Sequence, residues 1–141
     1  MVERRPYLFV FACHRRLPEE YRGLQTTEEL AGAMVRIVSL PCCGKLEVKY
    51  LLHAFEQGAD AVLVLCCPVD DCRLLEGNRR ARARVGQSRS LLEQVGLGGE
   101  RVDIRFVGDS AKEQLLREVE RVKGVVARLG VSPLRRRSEG S

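Results

Sequence analysis

Residues 61–78 read AVLVLCCPVDDCRLLEGN, an apolar run that breaks into cysteines, a proline and two aspartates. Ala61 to Leu65 shows no polar alternation and is rich in valine and leucine. That is the pattern of a strand buried on both faces, as in a parallel sheet with helices above and below it. Such a strand carries Cys66 and Cys67 to its C-terminal end, and Cys72 returns in the loop that follows. Gly77-Asn78 closes the loop, with Asn78 a good N-cap for the next helix. In parallel α/β proteins the loops at the carboxyl ends of the strands carry the chemistry.

Upstream, Tyr7 to Ala12 is a second unalternating run and is predicted to be the first strand, ended by Cys13. Residues 14–25 are polar and irregular. Thr26-Thr27-Glu28-Glu29 has capping-box spacing, so a short helix is expected near Thr26 with Leu30, Ala31 and Met34 on its inner face. Val35 to Leu40 is the second strand, less buried because Arg36 and Ser39 interrupt it. Pro41 stops it and Cys42-Cys43-Gly44 follows. Val48, Leu51, Leu52 and Phe55 form one stripe on a helix from about Lys45 to Gln57, with Gly58 at its C-terminal cap. His53 falls on the opposite face and is expected in solvent.

Downstream, a helix is predicted from Asn78 to about Val95, made basic by Arg79, Arg80, Arg82, Arg84 and Arg89, with Gly86 as its weak point. Gly96 to Glu100 reads as a turn. Val102 to Val107 alternates apolar and polar residues, the mark of an edge strand. Ser110 to Glu113 is a second capping box, opening a last helix that runs to about Leu129.

Strands alternating with helices predict an α/β fold: one domain, with a four-stranded parallel sheet and helices on both faces. Burial places the first and third strands centrally and the second and fourth outside, the order 2-1-3-4 of a flavodoxin-like winding. Its switch point lies between the first and third strands. Residues 1–130 form the expected domain, and 131–141, with Arg135-Arg136-Arg137, a flexible basic tail.

The chain of 141 residues suits one core, and 45% hydrophobic content supports a globular fold. No stretch is long and apolar enough to span a membrane. Arg4-Arg5 ahead of an apolar run ending at Cys13 superficially resembles a signal peptide with a lipidated cysteine. The run is short and basic residues follow at once, so a strand in a cytoplasmic protein is the better reading. The net charge of +5 comes with only 5% aromatic residues. No basic segment interleaves aromatics for base stacking, so nucleic acid is not favoured over an acidic protein partner. Gly-x-Gly-x-x-Gly and P-loop motifs are absent, which removes the usual device for nucleotide phosphates.

Six cysteines in an intracellular chain point to metal ligation or redox work rather than a disulfide framework, although one or two suit small buried hydrophobes. On the predicted fold all six converge on one rim. Cys13 ends the first strand, Cys42 and Cys43 follow the second, and Cys66, Cys67 and Cys72 lie at or after the end of the third. An iron–sulfur cluster, which takes four thiolates, ranks first. Zinc ranks second: Cys67 and Cys72 are close enough for a zinc pair, but Cys13 and Cys42 do not make another. A dithiol relay ranks third for want of Cys-x-x-Cys. His14 adjoins Cys13, but neighbouring strand residues point to opposite faces, so it is read as a spectator.

From Tyr7 to Leu129 the chain resembles the delta-subunit family of methyl-viologen-reducing hydrogenase. The likeness rests on Phe11-Ala12-Cys13, on Val35-Arg36-Ile37-Val38 followed by Pro41-Cys42-Cys43-Gly44-Lys45, on Ala54-Phe55-Glu56-Gln57-Gly58-Ala59-Asp60, and on Cys67-Pro68-Val69-Asp70-Asp71-Cys72 with Gly77-Asn78. The resemblance implies a non-catalytic electron carrier with a [2Fe–2S] cluster. Its partners would be a hydrogenase or formate dehydrogenase on one side and a heterodisulfide-reductase-like flavoprotein on the other. Carried over by position, the ligands are Cys13, Cys42, Cys67 and Cys72, with Cys43 and Cys66 as runners-up. The alternative is a zinc-stabilised or cluster-free interaction module. Two departures stand out: Arg16 occupies the place of the family's usual second cysteine, and Cys72-Arg73-Leu74 replaces Cys-His-Tyr.

Overall fold

The central strands form where the sequence leaves them no alternative. In the computed structural model, which describes residues 5–23, 25–67, 77–107 and 112–133, β1 spans Tyr7–Cys13 and β4 spans Ala61–Cys66. Every residue of β4 is buried, as are all but the first of β1. Burying one Val, Leu or Phe side chain contributes about 1.5–3 kcal/mol, so two runs with no polar face are driven to the middle of the sheet. They pair in parallel, Leu8 opposite Ala61 through Ala12 opposite Leu65.

β3, Ala33–Leu40, flanks β1 in parallel, and β5, Val102–Phe106, flanks β4 in parallel. The four parallel strands therefore lie in the relative order β3-β1-β4-β5, which is the predicted succession. β5 is the expected edge.

The sheet as a whole is not the predicted four-stranded parallel one. It has five strands and is mixed, because β2, Gln25–Leu30, pairs antiparallel with β3 on its outer side. The helix expected near Thr26 is thus replaced by half of a hairpin, and β3 is not an edge. The turn explains this. Ala31 and Gly32 both take positive φ, +49° and +78°, as a two-residue type I′ hairpin turn requires, and Leu30 pairs with Ala33 across it. From α3, Lys123 Nζ donates to Ala31 O at 2.6 Å and fastens the turn.

Three α-helices complete the fold: α1 Val48–Glu56, α2 Gly77–Gln94 and α3 Lys112–Leu129. α2 runs unbroken through Gly86. α1 ends where predicted, with Gly58 at φ +99° and its N–H on Phe55 O at 3.0 Å. Helices cover both faces. α3 packs Leu115, Val119, Val122 and Val126 over the face that carries Leu8, Val10 and Leu63. α1 and α2 pack Leu51, Phe55, Ala81 and Val85 over the face that carries Phe9, Val62 and Val64. His53 is exposed as expected.

Buried polar groups fix the end of the sheet opposite the cysteines. Asp60 Oδ2 accepts from Tyr7 N–H and Oδ1 from Ser132 N–H, each at 2.8 Å. Ser132, at the start of the expected flexible tail, is fully buried. The capping box at Ser110-Ala111, the side chain of Asn78 and residues 134–141 lie outside the described residues. Among the described residues no helix is long and apolar enough to cross a membrane.

Candidate thiol site

Parallel register brings the cysteines together. β1 and β4 are neighbours that end at the same level, so Cys13 at the tip of β1 stands beside Cys66 and Cys67 at the tip of β4. Cys13 and Cys67 sulfurs are 3.8 Å apart, and both residues are buried. Two sulfurs on one tetrahedral metal ion, with metal–sulfur bonds of about 2.3 Å, stand about 3.8 Å apart as well.

The third contribution comes from the connection between β3 and α1, where Cys43-Gly44-Lys45 makes a 3₁₀ turn. Cys43 is buried, 3% exposed, and its Sγ lies 3.2 Å from Leu65 O. Cys42 precedes the turn, is half-buried and turns its sulfur back to accept the Gly44 N–H at 3.3 Å. The structure therefore gathers Cys13, Cys43, Cys66 and Cys67 into one packed group and sets Cys42 beside it. Cys72, and with it the loop from Pro68, lies outside the described residues. α2 holds the cysteine turn from above: Arg84 Nη1 donates to Gly44 O at 2.8 Å and to Leu46 O at 2.5 Å.

Burial and mutual proximity set the acidities. Desolvation, with Cys67 and Cys43 alongside, pushes the Cys13 thiol up to about 12. Cys43 and Cys66 share a hydrogen bond and titrate as a pair. The first proton leaves Cys43, whose acidity is strengthened because the Cys66 thiol donates to its sulfur, and Cys66 is pushed far up by that same bond and by burial. While protonated, Cys43 donates to Leu65 O, a contact that favours the thiol and opposes this order.

Among the described residues no group of three or more His, Cys, Asp or Glu side chains is poised to hold a metal ion. The donor chemistry nevertheless suits one: soft sulfur donors, nearly dry, at one strand-end rim, with Cys72 in the adjoining loop sequence. Two surface grooves flank this rim, and among the described residues neither lining includes a cysteine. One of about 650 Å³ lies against β5 and includes Arg82, Arg89 and Phe106, and one of about 500 Å³ lies beside α1 and includes Phe11, Val38, Leu40 and Lys45. Sequence reasoning passed over Arg16 as a structural residue. It is buried, and its Nη1 donates to Val107 O at 3.1 Å. Its departure from the family pattern was the signal available.

Fold and site together define a class: a small, doubly wound α/β domain whose switch-point rim is lined with thiols. Over residues 8–130 the chain matches the family of the methyl-viologen-reducing hydrogenase delta subunit, and it belongs to that family. It is 34% identical to the vhu iron-sulfur subunit of the F420-non-reducing hydrogenase from Methanocaldococcus jannaschii over 137 residues, covering 92% of this chain and 97% of the relative. The corresponding subunit of Methanococcus maripaludis is 31% identical with the same coverage. An 80-residue stretch, 57% of this chain, is 26% identical to part of one polypeptide of the ferredoxin:CoB-CoM heterodisulfide reductase from Methanosarcina mazei, where it makes up 10% of that protein.

Proposed function

We propose that this chain is the electron-transfer subunit of a redox complex and carries a [2Fe–2S] cluster on its thiol rim. The ligands are Cys13, Cys67 and Cys72 with one cysteine of the Cys42-Cys43 doublet. Cys43 has the better position among the packed thiols, and Cys42 the place implied by the family pattern. The observation that carries the reading is the Cys13–Cys67 sulfur pair, 3.8 Å apart at the ends of adjacent parallel strands. Family membership and the relatives named as iron-sulfur subunits support it.

Such a cluster accepts and gives up single electrons, with its potential set by burial, charge and hydrogen bonds around the sulfurs. The chain's own residues position the thiols, exclude water through Phe9, Phe11 and Leu46, and present the rim to partners. The partners proposed are a hydrogenase, or a formate dehydrogenase, and a heterodisulfide-reductase-like flavoprotein. The hydrogenase and heterodisulfide reductase assignments come from the relatives' names.

Anaerobic purification followed by iron and acid-labile sulfide analysis tests this directly. About two irons and two sulfides per chain are expected for a [2Fe–2S] centre. Stoichiometric zinc without labile sulfide would replace the reading with a zinc-stabilised module.

A further inference from the structure

The sulfurs of Cys13 and Cys67 touch at 3.8 Å, and each residue is 5% exposed. The backbone suits a covalent bond between them. Ala12 lies opposite Leu65 in the parallel register, so Cys13 is one residue past that pair and Cys67 two. Parallel strands about 4.8 Å apart, with a rise of about 3.3 Å per residue, set Cα atoms staggered by one residue about 5.8 Å apart. A disulfide spans about 4.4–6.8 Å between Cα atoms. Rotation of the two side chains closes the rest, from 3.8 Å to a bond of about 2.0 Å. The neighbouring sulfurs are worse placed. Cys66 and Cys67 are consecutive, as are Cys42 and Cys43, and consecutive Cα atoms stand only about 3.8 Å apart. Cys43 Sγ is engaged with Leu65 O and with Cys66, and Cys42 Sγ with the Gly44 N–H.

We propose that in the metal-free chain Cys13 and Cys67 react with a small-molecule disulfide to form a reversible disulfide, which closes the thiol site until a dithiol reopens it. The Cys67 thiolate attacks one sulfur of the small disulfide, forms a mixed disulfide and releases one small thiolate. The Cys13 thiolate then attacks the Cys67 sulfur, forms the Cys13–Cys67 bond and releases the second. Two protein thiols are oxidised by two electrons, the small disulfide is reduced, and their two protons pass to the thiols released. A sulfur held in a disulfide offers no thiolate to a metal. That consequence for the cluster rests on the function proposed above, where both residues are ligands; the bond itself rests only on the sulfur pair.

The metal-free full chain, reduced and then freed of reductant, is incubated anaerobically for hours with glutathione disulfide, alkylated in denaturant, digested with trypsin and read by mass spectrometry. The expected result is two fewer alkylated cysteines, Cys13 joined to the peptide that carries Cys67, and return of both thiols with dithiothreitol. That peptide also carries Cys66 and Cys72. The assignment is therefore read in Cys66→Ala/Cys72→Ser, where the link should persist, and in Cys67→Ala, where it should vanish. Either variant decides it alone should the other fail to fold. Cys13 recovered alkylated, held only as a mixed disulfide with glutathione, or joined to Cys42 or Cys43 overturns the proposal, as does a link that survives in Cys67→Ala. The iron-loaded chain separates this result from the cluster reading. It should resist the link while its visible absorbance lasts. A link formed at undiminished absorbance sustains the disulfide and removes Cys13 and Cys67 as cluster ligands.

Discussion

Asp60 holds the register on which the thiol site depends, and its removal has a calculable cost. The residue precedes β4 and is completely buried. Its carboxylate accepts the N–H of Tyr7, at the start of β1, and the N–H of Ser132, beyond α3. Its carbonyl accepts from Arg101 Nη1 at 3.0 Å, and its own N–H donates to Tyr7 O at 2.7 Å. Asp60→Ala takes the acceptor from one buried backbone donor, Ser132 N–H, and one part-buried donor, Tyr7 N–H, and each such donor costs about 1–3 kcal/mol. Arg101, 4% exposed, loses the anion beside it as well. Asp60→Ala is therefore expected to lower the unfolding free energy by about 4 kcal/mol, taking about 2 per orphaned donor. Asp60→Asn, which keeps one carbonyl acceptor and turns an amide NH₂ toward the other donor, should lose about 2 kcal/mol. For a chain of this size each kcal/mol moves Tm by about 3 °C, so the melting points should fall by about 12 and 6 °C. Urea unfolding followed by far-ultraviolet circular dichroism, with thermal melts alongside, measures both. A loss under about 1 kcal/mol for Asp60→Ala would refute the claim that this side chain staples the sheet.

Other expectations concern the cysteines and the hairpin. Cys67→Ser should abolish visible cluster absorbance while Cys66→Ser retains it, because Cys67 faces Cys13 and Cys66 is engaged with Cys43; equal loss in both variants would reverse the assignment. Ala31→Gly should stabilise the protein by about 1 kcal/mol by relieving a positive φ, measured by chemical denaturation. Gly32→Ala should destabilise it, since its φ is +78° and the added Cβ would meet Lys123 Nζ at 3.1 Å; stabilisation instead would mean that the turn is misassigned. In the metal-free protein, burial raises Cys13 from 9.0 to about 12. The folded chain then keeps a proton that the unfolded chain releases, so this group leaves stability level below about pH 9 and lowers it as pH rises toward about 12. Urea midpoints of the parent should fall more steeply over that window than those of Cys13→Ala, and parallel slopes would remove Cys13 as the cause.

Much of the fold follows from local sequence. The runs at Tyr7–Cys13 and Ala61–Cys66 have no polar face, so only the middle of a helix-covered sheet accepts them, and the cysteines at their ends must emerge at one rim. The stripe from Val48 to Phe55 and the glycine at 58 specify α1 in the same way. What lay beyond the sequence depended on distant partners. Thr26 and Glu29 have the spacing of a helix cap, but residues 25–30 lie beside the open edge of β3, and ladder hydrogen bonds across the Ala31-Gly32 turn outweigh the local preference. Cys42 and Cys43 are equivalent as letters. A 3₁₀ turn pinned by Arg84 from forty residues away puts the second among the packed thiols and leaves the first on Gly44. Arg16 stands in sequence only as a departure from the family's second cysteine, and what buries it is the Val107 carbonyl just past β5, 91 residues away. The sequence by itself determined the two central buried strands and that the cysteines at their ends meet at one rim. Which sulfur of a doublet, which strand at the edge and which arginine inside were decided only in the tertiary structure, because each rests on hydrogen bonds to backbone that is remote along the chain.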